Sequence, residues 1–185
     1  ECILHIQRTG GRLPSVKLTT LGFSLSILRA LANRGLIRFF YREIRRDPYV
    51  NQVIDPPKNL IPTPHQEAAL SKIFRSLDHG SFQTCLLHGI TGSGKTLIYI
   101  QAAAHALKSG RGTLILVPEI SLTPQTVRHF KSFFRDQVAV LHSALSKGER
   151  YDAWREVREG KRQIVIGTRS SVFAPIKNLG LIVVV

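Results

Sequence analysis

The stretch Gly89-Ile90-Thr91-Gly92-Ser93-Gly94-Lys95-Thr96 fits the spacing G-x-x-x-x-G-K-[ST] at every fixed position. An apolar run, Gln83–His88, leads into it, and a helix-forming stretch, Lys95–Lys108, leads out. Glycines here admit backbone angles closed to other residues and leave no side chain between the loop amides and an anion. Those amides, with the positive end of a helix starting near Gly94, make an anion cradle. Lys95 is placed to reach the β- and γ-phosphates of a nucleotide, and the Thr96 hydroxyl to ligate Mg²⁺. The expectation is a site for ATP and Mg²⁺ built from Gly89, Thr91, Gly92, Ser93, Gly94, Lys95 and Thr96. Lys95 and Thr96 stand nearest its chemistry.

Outward from this loop the pattern alternates. Upstream, Thr63 as N-cap, Pro64 at the first helical position and Gln66 two residues later have the spacing of a capping box. Ala69, Leu70, Ile73, Phe74 and Leu77 make the apolar stripe of that helix, and Gly80 ends it. Downstream, strands are expected at Thr113–Val117, Val138–His142, Gln163–Ile166 and residues 181–185, besides the run at 83–88. Helices are expected at Thr123–Arg135 and Lys147–Glu159, the second opened by another capping-box pair, Ser146 and Glu149. Repeated strand–helix units predict an α/β fold, a parallel sheet with helices on both faces. Cys85 falls in an expected buried strand and reads as a small hydrophobe.

Four prolines among residues 55–64 mark a linker between residues 1–54 and 65–185. Ahead of it, Leu21 to Asn33 reads as a helix with Leu21, Leu25, Leu28, Leu31 and Ala32 on one face, and Gly35 as its stop. Residues 36–46 are rich in β formers and suit a hairpin or wing. A helix followed by a basic ribbon suggests a small α+β winged-helix-like module. Arg29, Arg34, Arg38, Arg42, Arg45 and Arg46 would either meet DNA phosphate or solvate one face.

The chain has 26 Lys+Arg against 12 Asp+Glu, a net +14. The excess is distributed, with 9 basic against 4 acidic residues through Pro57 and 17 against 8 after it. Such a balance favours a polyanion, nucleic acid before an anionic membrane. No apolar run approaches the roughly 18 residues that span a bilayer. No signal-peptide pattern opens the chain, and two cysteines are too few for a disulfide framework or a zinc site. A cytoplasmic protein is the simplest expectation. The chain opens on Glu1, holds no methionine and ends in the apolar run Leu181–Val185, so the expectation is a piece of a longer protein. An ATPase of this type also needs a carboxylate at the end of another strand, and its natural place lies beyond Val185.

Four further stretches narrow the reading: Val117-Pro118-Glu119-Ile120-Ser121-Leu122-Thr123-Pro124-Gln125, Leu141-His142-Ser143, the helix start from Gly148-Glu149-Arg150 to Trp154, and Ile166-Gly167-Thr168-Arg169-Ser170-Ser171-Val172-Phe173-Ala174-Pro175. With the phosphate loop, they resemble lobe 1 of the bacterial replication-restart DNA helicases, the primosomal protein N′ family within superfamily 2. Arg46-Asp47-Pro48-Tyr49 resembles the end of that family's winged-helix domain. The resemblance covers residues 19–185. It implies a RecA-like lobe, ATP-driven 3′→5′ unwinding, and assembly with primosome proteins and single-stranded-DNA-binding protein. It further implies that Gln66 reads adenine, and that Pro118, Glu119, Thr123, Gln125, Gly167, Thr168, Arg169 and Ser170 line the single strand, with Arg38, Arg42 and Arg45 on DNA from the first module. The family's Asp-Glu-x-His motif, zinc-binding cysteine segment, second lobe and 3′-end-binding domain are outside this sequence.

Plainer roles stand beside these. Gln66 serves a capping box, Thr123-Pro124 is an ordinary helix start, and Thr168 and Ser170 suit the cap of a helical turn. His142 reads as a satisfied histidine at a strand end, and Trp154 with Val157 as core. A different P-loop enzyme would show a lid arginine cluster or a transporter signature, and neither is present. A DNA-binding remnant with a decayed loop conflicts with intact Lys95 and Thr96.

Overall fold

The computed structural model describes residues 1–40, 46–49 and 61–185. The chain divides into two compact units, Glu1–Ile44 and Arg45–Val185. In the first, α1 (Cys2–Arg8), α2 (Ser15–Thr20) and α3 (Leu25–Asn33) enclose Cys2, Leu18 and Leu28, with Ile6, Phe23 and Leu31 packed around them. α3 begins four residues later than its apolar spacing predicts. Gly22 has φ +90 and Ser24 accepts the Ile27 amide as N-cap, so the chain turns where a helix would otherwise continue. Leu21 and Leu25 are consequently exposed. Residues 36–40 carry no strand, and the rest of the expected ribbon, with Arg42 and Arg45, lies outside the described residues. Arg29, Arg34 and Arg38 are exposed.

The second unit is the α/β fold expected. Its strands are β1 (Gly112–Leu116), β2 (Val138–Leu141), β3 (Ile164–Gly167) and β4 (Leu179–Val184), all parallel, in the order β2-β3-β1-β4. Side-chain alternation assigns the two faces. Ile115, Val138, Val140, Ile164 and Ile166 meet Ile100 and Ala103 of α5 (Lys95–Lys108) and Val127, Phe130 and Phe134 of α6 (Pro124–Phe134). Leu114, Ala139, Leu141 and Val165 point the other way, toward Val157 of α7 (Lys147–Glu159). Full burial of such aliphatic side chains contributes about 1.5–3 kcal/mol each. The fold is a four-stranded parallel sheet with helices on both faces, a RecA-like lobe.

α4 (Pro64–His79) carries the complete capping box, with Thr63 accepting from the Gln66 amide and Gln66 accepting from the Thr63 amide. Gly80, at φ +69, supplies its left-handed stop. Ser146 and Glu149 make the same reciprocal pair at α7. Two strand expectations are corrected. Residues 83–88 form no strand: the described strands pair among themselves, none beside this run, and a strand exists only through bonds to a neighbour. Leu86 is 92% exposed there, and Cys85, expected in the core, is exposed too. β4 is parallel as expected but stands at the sheet edge, where only Val183 is buried and Val184 is open to solvent.

Candidate nucleotide- and DNA-binding site

α4 and α5 bring the phosphate-loop residues together. Phe74 stacks on His105 with ring centroids 4.2 Å apart, and His105 Nε2 lies 2.7 Å from Asp78 Oδ1. Arg111 Nη1 donates to the Leu77 carbonyl at 2.6 Å. These contacts hold the two helices side by side, so the first turn of α4 stands against the loop preceding α5. There Gln66 works with both ends: Oε1 accepts from the Thr63 amide at 2.9 Å, and Nε2 donates to the Ser93 carbonyl at 2.9 Å. The capping role is therefore real, and the same side chain ties α4 to the loop.

Two glycines make that closeness possible. Gly94 has φ +80, and a Cβ there would lie 2.5 Å from Gln66 Nε2. A Cβ on Gly89 would lie 2.7 Å from Ser93 Oγ. Lys95 arches back over the loop, its ammonium donating to the Gly89 carbonyl at 2.6 Å and the Ile90 carbonyl at 2.8 Å. An ammonium has three protons, and both partners here are neutral carbonyls, which a phosphate oxygen can outcompete through charge. Thr96 opens α5 with its side chain exposed, and Thr91 and Ser93 are exposed as well. The residues present thus fit a nucleotide triphosphate: a side-chain-free cradle, a half-buried cation and a helix N-terminus. Among the described residues there is no cluster of three His, Cys, Asp or Glu to hold a metal ion. A Mg²⁺ here would rest on the Thr96 hydroxyl and the nucleotide's own oxygens.

The residues expected along DNA divide into two loops at the carboxyl ends of β1 and β3. Pro118 and Glu119 follow β1, and Thr168, Arg169 and Ser170 follow β3. Pro118, Glu119, Thr168 and Arg169 line one cleft of about 410 Å³ together with Leu116, Val117, Val184 and Val185. Ligands of open α/β sheets bind at this end of the strands. Arg169 and Ser170 are exposed, whereas Thr168 is 3% exposed and turned inward. Gly167 allows the second loop to close, since a Cβ there would collide with Ser171 Oγ and the Leu141 carbonyl. Thr123 caps α6 by accepting the Thr126 amide at 3.2 Å, and Gln125 is exposed outside the cleft lining.

Sequence reasoning missed a cluster at residues 46–49, which pack on the second unit although they stand among residues 1–54 of the expected first module. Asp47 shares its Oδ2 between Lys131 Nζ at 3.3 Å and Arg162 Nη2 at 2.8 Å, and both cationic side chains are nearly buried. Arg162 also lies 2.7 Å from Glu156 Oε2 and donates to the Val138 carbonyl. Arg46, expected either to meet DNA phosphate or to solvate one face, meets Asp152 Oδ2 through its amide at 3.2 Å and its guanidinium at 3.3 Å. Gly148 makes room for it, with a Cβ position 3.2 Å from the Arg46 side chain. Burial pushes the Asp47 carboxyl up, but the Arg162 hydrogen bond, the Tyr49 amide and Lys131 together outweigh that and hold it below its ordinary value. Tyr49 completes the strap, its hydroxyl 2.8 Å from His142 Nε2. Burial, aided by Arg150, lowers the His142 imidazole below its ordinary value against the pull of Glu149 and Glu119. Asp47 is one of few acids in a basic segment, but nothing local says that its partners lie 84 and 115 residues away.

Comparison with known proteins places this geometry. The profile of the family described as "Type III restriction enzyme, res subunit" matches residues 59–181. The replication restart protein PriA of Bacillus subtilis is 42% identical over 188 residues, covering 100% of this chain and 23% of that protein. The one from Chlamydia pneumoniae is 53% identical over 128 residues (69% of this chain, 17% of that protein). That of Synechocystis is 44% identical over 163 residues, covering 86% of this chain and 19% of its own length. The chain thus spans between 17% and 23% of the length of these relatives. With a phosphate loop on a RecA-like sheet, similarity along its whole length to the Bacillus subtilis replication restart protein, and the family profile over residues 59–181, the chain belongs to the type III restriction enzyme res-subunit family.

Proposed function

We propose that this chain is the ATP-binding lobe, with part of a DNA-binding module ahead of it, of a helicase that restarts replication. In this reading Gly89 to Thr96 bind ATP and Mg²⁺, and Gln66 contacts the adenine. The loops at 118–125 and 167–170 lie along a single DNA strand, and Arg38, Arg42 and Arg45 of the first module hold DNA phosphate. ATP supplies the free energy, and this chain's residues bind it, orient it and exchange Lys95's carbonyl partners for phosphate oxygens. Translocation runs 3′→5′, the partners are primosome proteins and single-stranded-DNA-binding protein, and the setting is cytoplasmic. Zinc, in this reading, belongs to cysteines outside this chain.

The observation that carries the reading is the assembled loop: Lys95 held over two carbonyls, with Gln66 of the neighbouring helix bonded to Ser93. A net charge of +14 supports the DNA part. The test is single-stranded DNA affinity measured by fluorescence anisotropy across salt. Affinity falls at least about tenfold between about 50 and 200 mM salt if some three phosphates are neutralised. Arg169→Ala weakens binding and flattens that dependence. A flat response in the unaltered protein removes the DNA reading of the charge.

A further inference from the structure

The segment Leu141-His142-Ser143, at the end of β2, bonds to both loops assigned to DNA, and each residue holds a different neighbour. The Leu141 carbonyl accepts from Ser171 Oγ at 2.9 Å and the Thr168 amide at 3.3 Å, which fixes the loop carrying Arg169 and Ser170. Ser143 Oγ donates to Glu119 Oε1 at 3.4 Å and so touches the other loop. His142, between them, bonds through Nε2 to the Tyr49 hydroxyl at 2.8 Å. Tyr49 is itself locked: its amide donates to Asp47 Oδ1 at 2.9 Å, and Lys131 Nζ lies 5.3 Å from its ring centroid. Lys131 belongs to α6, the helix that the first loop runs into, and is ion-paired with Asp47. The strap at 46–49 therefore reaches both loops, one through the strand-end segment and one also through α6.

We propose that Tyr49 and His142 are positioning residues that set the two DNA loops relative to each other, with the strap as the anchor. Neither residue lines the cleft. Their hydrogen bond orients the 141–143 backbone, which presents the Leu141 carbonyl to one loop and the Ser143 hydroxyl to the other. The strap opens the second unit and reaches the DNA loops through the Tyr49–His142 hydrogen bond and, by way of α6, the Asp47–Lys131 ion pair. This inference rests on the reading of loops 118–125 and 167–170 as a DNA surface.

The experiment is a cycle of Tyr49→Phe, His142→Ala and the double variant, read as single-stranded DNA affinity by anisotropy. Mg-ATP affinity and thermal midpoint are measured alongside, and Arg169→Ala is the control for the surface itself. Tyr49→Phe keeps the ring under Lys131 and deletes only the hydroxyl; His142→Gln, which retains a hydrogen-bonding group, checks any loss of folding in His142→Ala. We expect Tyr49→Phe and His142→Ala each to weaken DNA binding about three- to tenfold, with ATP affinity unchanged and the double variant no worse than either single. His142→Gln recovers part of the loss. Additive effects, or unchanged DNA affinity in Tyr49→Phe while Arg169→Ala binds weakly, overturn the positioning role and leave the DNA surface standing. An Arg169→Ala protein that binds DNA normally removes the surface, and this inference with it.

Discussion

The loop at 89–94, with Lys95 at the start of α5, and the strap at 46–49 are both short segments of one α/β unit, yet they are held by opposite means. The loop is tied by mostly exposed hydrogen bonds to neutral acceptors at most 27 residues away: Lys95 to two carbonyls of its own loop, and Gln66 to Ser93. The strap is tied by charge, in a nearly dry site, to partners 84 to 115 residues along the chain. Neutral carbonyls release a cation to a stronger ligand at little cost, whereas removing a carboxylate shared by two nearly buried cations takes a charged partner from both at once. The difference teaches that the loop is built to exchange partners and the strap to keep them.

The largest test of that contrast is Asp47→Ala. It removes the carboxylate that Lys131 and Arg162 share, and chemical denaturation should show the second unit destabilised by about 3 kcal/mol. Acid sharpens the same point. The folded Asp47 carboxyl titrates below its unfolded value, so it contributes stability above the ordinary carboxylate pKa that is lost as pH falls through the lower, folded value. Denaturation midpoints should therefore drop on acidification below about pH 4, and less in Asp47→Asn, where no proton is taken up. Equal slopes in the two proteins would deny that the strap is held by charge. Gly94→Ala comes next: a φ of +80 costs a side chain about 1–2 kcal/mol, and the methyl would displace Gln66 from Ser93. Its nucleotide affinity should fall together with its stability. Ser146→Ala is the smallest, about 1 kcal/mol from the α7 cap, with nucleotide affinity unaltered.

The same contrast explains what could be read from the sequence. Both capping boxes, the phosphate loop with its helix, and the apolar runs of β1, β2 and β3 depend on residues a few positions apart, and all were legible from local sequence alone. The run at 83–88 has the composition of a strand, but strand formation is decided by a neighbour, and composition cannot supply one. Its exposed Leu86 shows the limit of reading apolarity as burial. α3 was read four residues too long because Leu21 kept the helical spacing while Gly22 and Ser24 carried the contrary signal. In the candidate site, Lys95 was legible through its motif. Asp47, Lys131 and Arg162 were not, because a buried ion pair leaves no periodic trace. Arg46 looked like any other basic residue until Asp152 appeared beside it.

The central claim, that this lobe binds ATP through Lys95, is tested most directly by calorimetric titration of Mg-ATP into the unaltered protein and into Lys95→Ala. Loss of charge-assisted bonds worth about 1.5–3 kcal/mol should weaken binding roughly ten- to a hundredfold at unchanged thermal stability. Equal affinity in the two proteins would contradict the assignment of the loop as the phosphate site.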